Sequence, residues 1–204
     1  MGPTTQVIVM AKAPVPGLAK TRLIPALGAE GAARLAARLL DHALAQARAA
    51  TPGDVILACA PDVTHAAFTE HARQGGVTLV PQGHGDLGAR MHRQFMNAFD
   101  QGARRVILVG TDVPALDAAL LRQADAALAA ADAVFVPAAD GGYALVGLRR
   151  PAPAIFEAVP WSTPAVMATT RDRLALAGLQ HVELALVHDI DEPADLAHLP
   201  TGWV

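Results

Sequence analysis

Short runs of aliphatic and β-branched residues alternate along this chain with Ala-, Leu- and Arg-rich segments of helical period. That alternation is the strongest constraint on the fold, because strands joined through helices pair in parallel and need cover on both faces. The pattern predicts strands at 5–10, 54–60, 77–81, 105–110, 133–137, 143–148 and 181–187. Helices are expected at 29–50, 62–74, 87–101, 116–131, 153–158, 164–178 and 193–199. Thr163-Pro164 has the form of an N-cap followed by an N1 proline, and Asp62 and Asp86 are candidate N-caps. Gly102 and Gly178 stand where left-handed helix ends are wanted. With 204 residues, no repeat and no linker-like stretch, the chain 1–204 reads as one α/β domain with a mostly parallel sheet.

Composition narrows the function classes. Hydrophobic residues make up 52% and charged residues 17%, so a well-formed core is expected. The net charge of -3, without any long basic run, argues against a nucleic-acid partner. No apolar stretch reaches membrane-spanning length and the N-terminus lacks the pattern of a secretory signal, so a cytoplasmic protein without a membrane partner is expected. The single cysteine, Cys59, sits in an apolar run and reads as a buried, inert thiol.

Four segments carry candidate chemistry. After the first strand, Lys12, Lys20 and Arg22 fall within eleven positions, in a loop stiffened by Pro14 and Pro16 and hinged at Gly17. A strand that empties into such a loop, with a helix beyond, commonly grips phosphate. One glycine, separated from the lysine by two residues, does not make the phosphate loop of P-loop NTPases. The second segment ends a buried strand in Gly110-Thr111-Asp112, placing Asp112 where a hard divalent cation, Mg²⁺ or Mn²⁺, could neutralise a diphosphate. Third, Asp140-Gly141-Gly142-Tyr143 offers a general base, a backbone open to close approach and an aromatic contact for an acceptor; it is also a good hairpin turn. Fourth, Asp189 and Asp191 alternate in side, so one of the two can face a given site, unless both serve only the last helix.

Two weaker segments supplement these. Gln82, Asp86 and Arg90 lie at a glycine-rich strand-to-helix junction suited to a nucleotide contact. Trp161 precedes a helix as a lid or sugar-stacking platform. His84 and His92 lack metal-ligand spacing, and no Gly-x-Ser-x-Gly elbow is present.

Taken in order, these six motifs resemble a bacterial family of small glycosyltransferase-like proteins. It is catalogued as a domain of unknown function, DUF2064, and also as arsenosugar-biosynthesis glycosyltransferase-like. The resemblance runs over nearly the whole chain. It implies the three-layer nucleotide-diphospho-sugar transferase fold called GT-A, and it extends to small nucleotidyltransferases such as phospholactate guanylyltransferase and the sugar cytidylyltransferases. By position, it implies metal binding by Asp112 and Asp191 and phosphate binding by Lys12, Lys20 and Arg22. Thr111-Asp112-Val113 replaces the Asp-x-Asp of typical GT-A glycosyltransferases, which favours the nucleotidyltransferase alternative. The expected activity is metal-dependent transfer from a nucleotide-sugar to a small-molecule acceptor. Nucleotidyl transfer from an NTP and non-catalytic nucleotide binding are the alternatives. All three readings need Lys20, Arg22 and Asp112 to converge on one pyrophosphate group.

Overall fold

The computed structural model describes residues 5–53 and 55–203. Asp54, where the second strand is expected to begin, lies outside the described residues. Among these residues seven strands form one sheet: β1 (Thr5–Lys12), β2 (Val55–Ala60), β3 (Val77–Pro81), β4 (Arg105–Val109), β5 (Ala133–Pro137), β6 (Tyr143–Leu148) and β7 (His181–Glu183). Their order is β3-β2-β1-β4-β6-β5-β7. β1 pairs in parallel with β2 and β4, β2 with β3, and β5 with β7, while β6 runs antiparallel between β4 and β5. The sheet is therefore mostly parallel, as expected.

Side-chain alternation splits each central strand between two cores. Val7, Val9 and Ala11 of β1 join Ile107 and Val109 of β4 and Val134 and Val136 of β5 in one core. Ile8 and Met10 join Val106, Leu108, Ala133 and Phe135 in the other. Helices α1 (Ile24–Ala50), α2 (Ala66–Arg73) and α4 (Ala118–Ala127) cover the first face through Leu40, Leu44, Phe68 and Leu121. Helices α3 (Leu87–Asp100) and α5 (Val166–Leu176) cover the second through Met91, Phe95 and Met167. A third cluster packs Leu23 and Leu39 against Ile190, tying the N-terminal loop to the 190 segment.

Several helix starts differ from expectation because capping depends on where the chain turns. α2 is capped by the His65 imidazole, which accepts from Ala67 N, whereas Asp62 closes a turn by accepting from Thr64 N at 2.8 Å. α4 begins at Ala118, two residues later than expected, under Asp117, which accepts from Leu120 N. α5 begins at Val166 without a side-chain cap, and Thr163 accepts from Ala165 N one turn earlier. α1 spans Ile24–Ala50 but is broken at Gly28, φ 70°, so a short turn precedes the long helix that follows that residue as expected. The 153–158 and 193–199 segments are 3-10 turns over Pro153–Ile155 and Pro193–His198. β7 stops at Glu183, after which Leu184 N still donates to Phe135 O and Val187 N to Pro137 O, and a bridge pairs Ala138 with Val187; a register shift at Val136/Pro137 interrupts the neighbouring β5–β6 pairing. Proline lacks the N–H a regular ladder needs there. Asp86 does cap α3, and Gly102 and Gly178 take positive φ as expected.

Cys59 is buried, and burial together with the charge of Asp62 pushes its thiol up to about 12, as an inert core residue requires. No helix among the described residues is long and apolar enough to cross a membrane.

The far end of the sheet is locked by Asp132. Its carboxylate, with 6% of the side chain exposed, accepts from Arg149, Arg150 and the Gln180 amide. Burial drives this carboxyl upward, but the Gln180 amide and the two guanidinium groups outweigh burial and hold it below its usual range. A lowered folded-state value contributes stability that is present above the unfolded value and lost as pH falls through the folded one. Asp132→Asn should therefore cost about 1–3 kcal/mol at pH 7. In urea melts the gap between variant and wild type should close as pH drops below the ordinary carboxylate range.

Candidate active site

In this strand order β1 leads outward to β2 on one side while β4 lies on its other side, so the crevice at their carboxyl ends is a topological switch point. Every central feature of the candidate site lies there. β1 ends at exposed Lys12, and the loop after it is shaped by its own backbone: Val15 O accepts from Leu18 N and Ala19 N. Ala19 is buried, which turns Lys20 inward. Lys20 adopts a left-handed backbone, φ 47°, uncommon for a residue with a side chain and costing about 1–2 kcal/mol.

The Lys20 ammonium is the centre of the site. Nζ donates to Ile190 O at 2.6 Å and contacts Asp191 Oδ1 at 2.8 Å and Asp112 Oδ1 at 2.6 Å. Its side chain is 7% exposed, against 48% for Asp112 and 40% for Asp191. Burial alone would lower the lysine's proton affinity; the charges of Asp112 and then Asp191 outweigh it and hold the group above its ordinary value. Two features fix the carboxylates. Ile190 N donates to Asp112 O at 2.9 Å, zipping the 190 segment to the end of β4. Asp195 Oδ2 accepts from Asp191 N and Glu192 N, shaping the turn that carries Asp191.

Lys20 and Asp112 thus converge, and Asp191 joins them. Arg22 stands at the rim, 68% exposed, 3.9 Å from Glu192 Oε1. Asp140 is exposed on the β5–β6 turn, where Oδ1 accepts from Gly142 N at 2.8 Å, so the turn reading of Asp140-Gly141-Gly142 holds. Asp189, the other carboxylate of the fourth segment, makes no contact with Lys20 but sits among acids. Desolvation, reinforced by Asp140, Asp191 and Asp195, pushes its carboxyl up despite a bond to its own backbone. Only the folded arrangement of these acids could reveal that.

Other expected ligand contacts serve the scaffold. Gln82 is buried: its amide donates to Ala11 O and Ala58 O, and its oxygen accepts from Arg90 Nη1. Arg90 Nε also donates to Asp86 O, Asp86 Oδ1 accepts from Ala89 N, and Arg93 spans Gln82 O and His84 O. These groups set the shape of the 82–90 junction. Tyr143 and Trp161 correct the expectation of an aromatic platform. The Tyr143 phenol is buried beside Thr170, its ring edge-on to Phe135 and Trp161, and burial drives its proton affinity up against a smaller opposing effect of Thr170. Trp161 packs its buried N–H onto Gly88, where a Cβ would lie 2.6 Å from both that nitrogen and Phe156 O. The glycine opens the slot that draws the indole inward.

A cavity of about 240 Å³ lies behind the Gly141–Gly142 turn, lined by Pro137, Ala138, Met167 and Arg171 among others. Lys20, Asp112 and Asp191 do not line it.

Among the described residues no three His, Cys, Asp or Glu side chains gather closely enough to enclose a metal ion. The donor set is instead two half-exposed carboxylates facing one point. That fits an ion such as Mg²⁺ or Mn²⁺, which takes one or two carboxylates and completes its shell with phosphate and water.

Residues 43–163 match the model of a family described as an uncharacterized protein conserved in bacteria (DUF2064). No curated protein matches. Among solved structures, a Desulfovibrio desulfuricans G20 protein, assigned provisionally as a nucleotide-diphospho-sugar transferase, is 30% identical with a TM-score of 0.84, over 92% of this chain and 82% of that one. A nucleotidyl transferase from Methanothermobacter superposes with a TM-score of 0.67 at 15% identity, over 99% and 98% of the two chains. A Mycobacterium tuberculosis H37Rv protein solved as a manganese complex gives 0.53 at 20% identity, over 97% of each.

Proposed function

The chain belongs to the bacterial DUF2064 family, and from that membership and the geometry of the crevice we propose that it is a cytoplasmic, metal-assisted transferase that moves a sugar from a nucleotide-sugar to a small-molecule acceptor. The observation that carries this reading is the convergence of Lys20, Asp112 and Asp191 at the strand ends. The whole of 1–204 acts as one unit in it. Lys12, Lys20 and Arg22 present cationic groups to the diphosphate, Gly17 lets the loop backbone approach it, and Asp112 with Asp191 holds Mg²⁺ or Mn²⁺. When bound, the ion neutralises charge that develops on the departing nucleoside diphosphate. Asp140 takes the proton of the acceptor hydroxyl as its oxygen bonds to the anomeric carbon and the bond from that carbon to the diphosphate breaks. The acceptor approaches over Gly141 and Gly142. Gln82, Asp86 and Arg90 hold the nucleotide side of the crevice in shape, and Tyr143 and Trp161 support the acceptor side from beneath.

One observation favours nucleotidyl transfer as the second reading. Asp112 stands alone after β4, and its partner carboxylate, Asp191, comes from a distant segment rather than an adjacent Asp-x-Asp. There an ionised acceptor attacks the α-phosphate of an NTP and pyrophosphate leaves. Incubation with UDP-, GDP- and ADP-sugars and with NTPs, scored for nucleoside diphosphate against pyrophosphate, separates the two. Sugar transfer predicts nucleoside diphosphate release, reduced about 100-fold or more by Asp140→Asn because a base is lost. Pyrophosphate release, little changed by that substitution, would replace the first reading with the second. Binding without turnover across both panels would sink both.

A further inference from the structure

An ammonium has three hydrogens to donate, and on Lys20 all three point to protein oxygens: Ile190 O, Asp191 Oδ1 and Asp112 Oδ1. In this state the lysine has nothing left for a phosphate. It occupies the point that the two carboxylates share, and it is more enclosed than either of them. A divalent ion drawn to the same oxygens would sit within about 4 Å of the ammonium, and two cations that close repel each other strongly. Lysine and metal are competitors for one seat.

We propose that Lys20 is the resident cation of the free site, and that a divalent ion enters as the ammonium passes from Asp112 and Asp191 to a phosphate oxygen of the incoming substrate. This rests on the carboxylate pair being the metal site, as the proposed function has it. The consequence is coupling: metal alone must expel a cation that has nowhere to go, whereas metal arriving with a diphosphate brings the lysine its new partner. Each ligand then raises the affinity of the other. In the free protein Lys20 has a positioning role, holding two like charges together and aimed at one point. The left-handed backbone at Lys20 fits a residue kept in place by those three bonds.

The test is a Mn²⁺ titration followed by the loss of the free-ion electron paramagnetic resonance signal, without nucleotide, on wild type, Lys20→Met, Lys20→Gln and Lys20→Arg. The neutral variants should bind Mn²⁺ about ten-fold tighter or more, equivalent to about 1.4 kcal/mol, and Lys20→Arg should stay near wild type. A folded neutral variant, judged by near-ultraviolet circular dichroism, that binds Mn²⁺ no tighter than wild type overturns the proposal. Wild type supplies a second measurement that needs no variant to fold. Mn²⁺ with inorganic pyrophosphate should raise its melting temperature by more than the two separate shifts combined, and simple additivity overturns the exchange. Adding Asp112→Asn or Asp191→Asn to Lys20→Met separates this proposal from its premise. If the carboxylate changes leave Mn²⁺ affinity untouched, the metal-site reading fails. If they abolish binding while Lys20→Met is no tighter than wild type, only the lysine exchange fails.

Discussion

Asp112→Asn lowers turnover about 100- to 1,000-fold, the range seen when one preorganised charge at a transition state is removed. The argument rests on position. Asp112 follows β4 at the switch point, its carboxylate is half exposed to the crevice, and its other neighbour is a lysine rather than an apolar wall. An amide keeps the shape and loses the charge that would attract a cation. The backbone tie from Ile190 N to Asp112 O does not involve the side chain, so the end of β4 should stay where it is. Lys20 would retain Ile190 O and Asp191. Steady-state rates on whichever donor the panel identifies, with near-ultraviolet circular dichroism as the control, measure the effect. Activity within ten-fold of wild type in a folded Asp112→Asn protein would remove this carboxylate from the reacting centre.

Gly141→Ala gives the largest expected stability loss, about 3 kcal/mol or more. Two costs combine. Gly141 has φ 90°, where an L side chain is strained, and a Cβ would lie 2.3 Å from Pro164 O and 2.6 Å from Pro164 Cα. Those are backbone atoms and cannot rotate away. Strain contributes about 1–2 kcal/mol and overpacking about 1–3 kcal/mol. Gly141 O also accepts from Met167 N at 2.8 Å, so relief of the clash would pull the Asp140 turn off α5. Gly102→Ala is the control, with φ 91° but nothing within 4 Å of the added carbon. Urea melts should show a much larger loss at 141 than at 102. Equal losses would mean that Pro164 yields and only backbone strain counts.

The strands were legible because burial on both faces leaves a dense aliphatic run in the sequence, and each run is local. Val7 to Ala11 or Val106 to Val109 can be read without knowing their neighbours. Helix starts were less legible. Asp112 and Asp62 are as suited to capping as Asp117, and what chose Asp117 and His65 was the direction in which the chain left each strand. The site was legible as an inventory. Asp112 after a buried strand and Lys20 in a cationic loop both follow from chain order. The inward turn of Trp161 did not, because it depends on a missing side chain at Gly88 on a different helix. Nor did the buried role of Gln82, which bonds Ala11 and Ala58 on two other strands.

Residue pattern alone determined that this chain builds helix-covered, mostly parallel strands with acids and cations at their carboxyl ends. Periodicity and burial are properties of contiguous residues, and contiguous residues are what a sequence records. Only the tertiary structure decided that Lys20 lies between Asp112 and Asp191, which are 92 and 171 positions away along the chain. That meeting follows from β4 pairing beside β1 and from Ile190 zipping onto the end of β4. Long-range pairing is chosen by how well whole faces bury one another, a quantity no single segment contains.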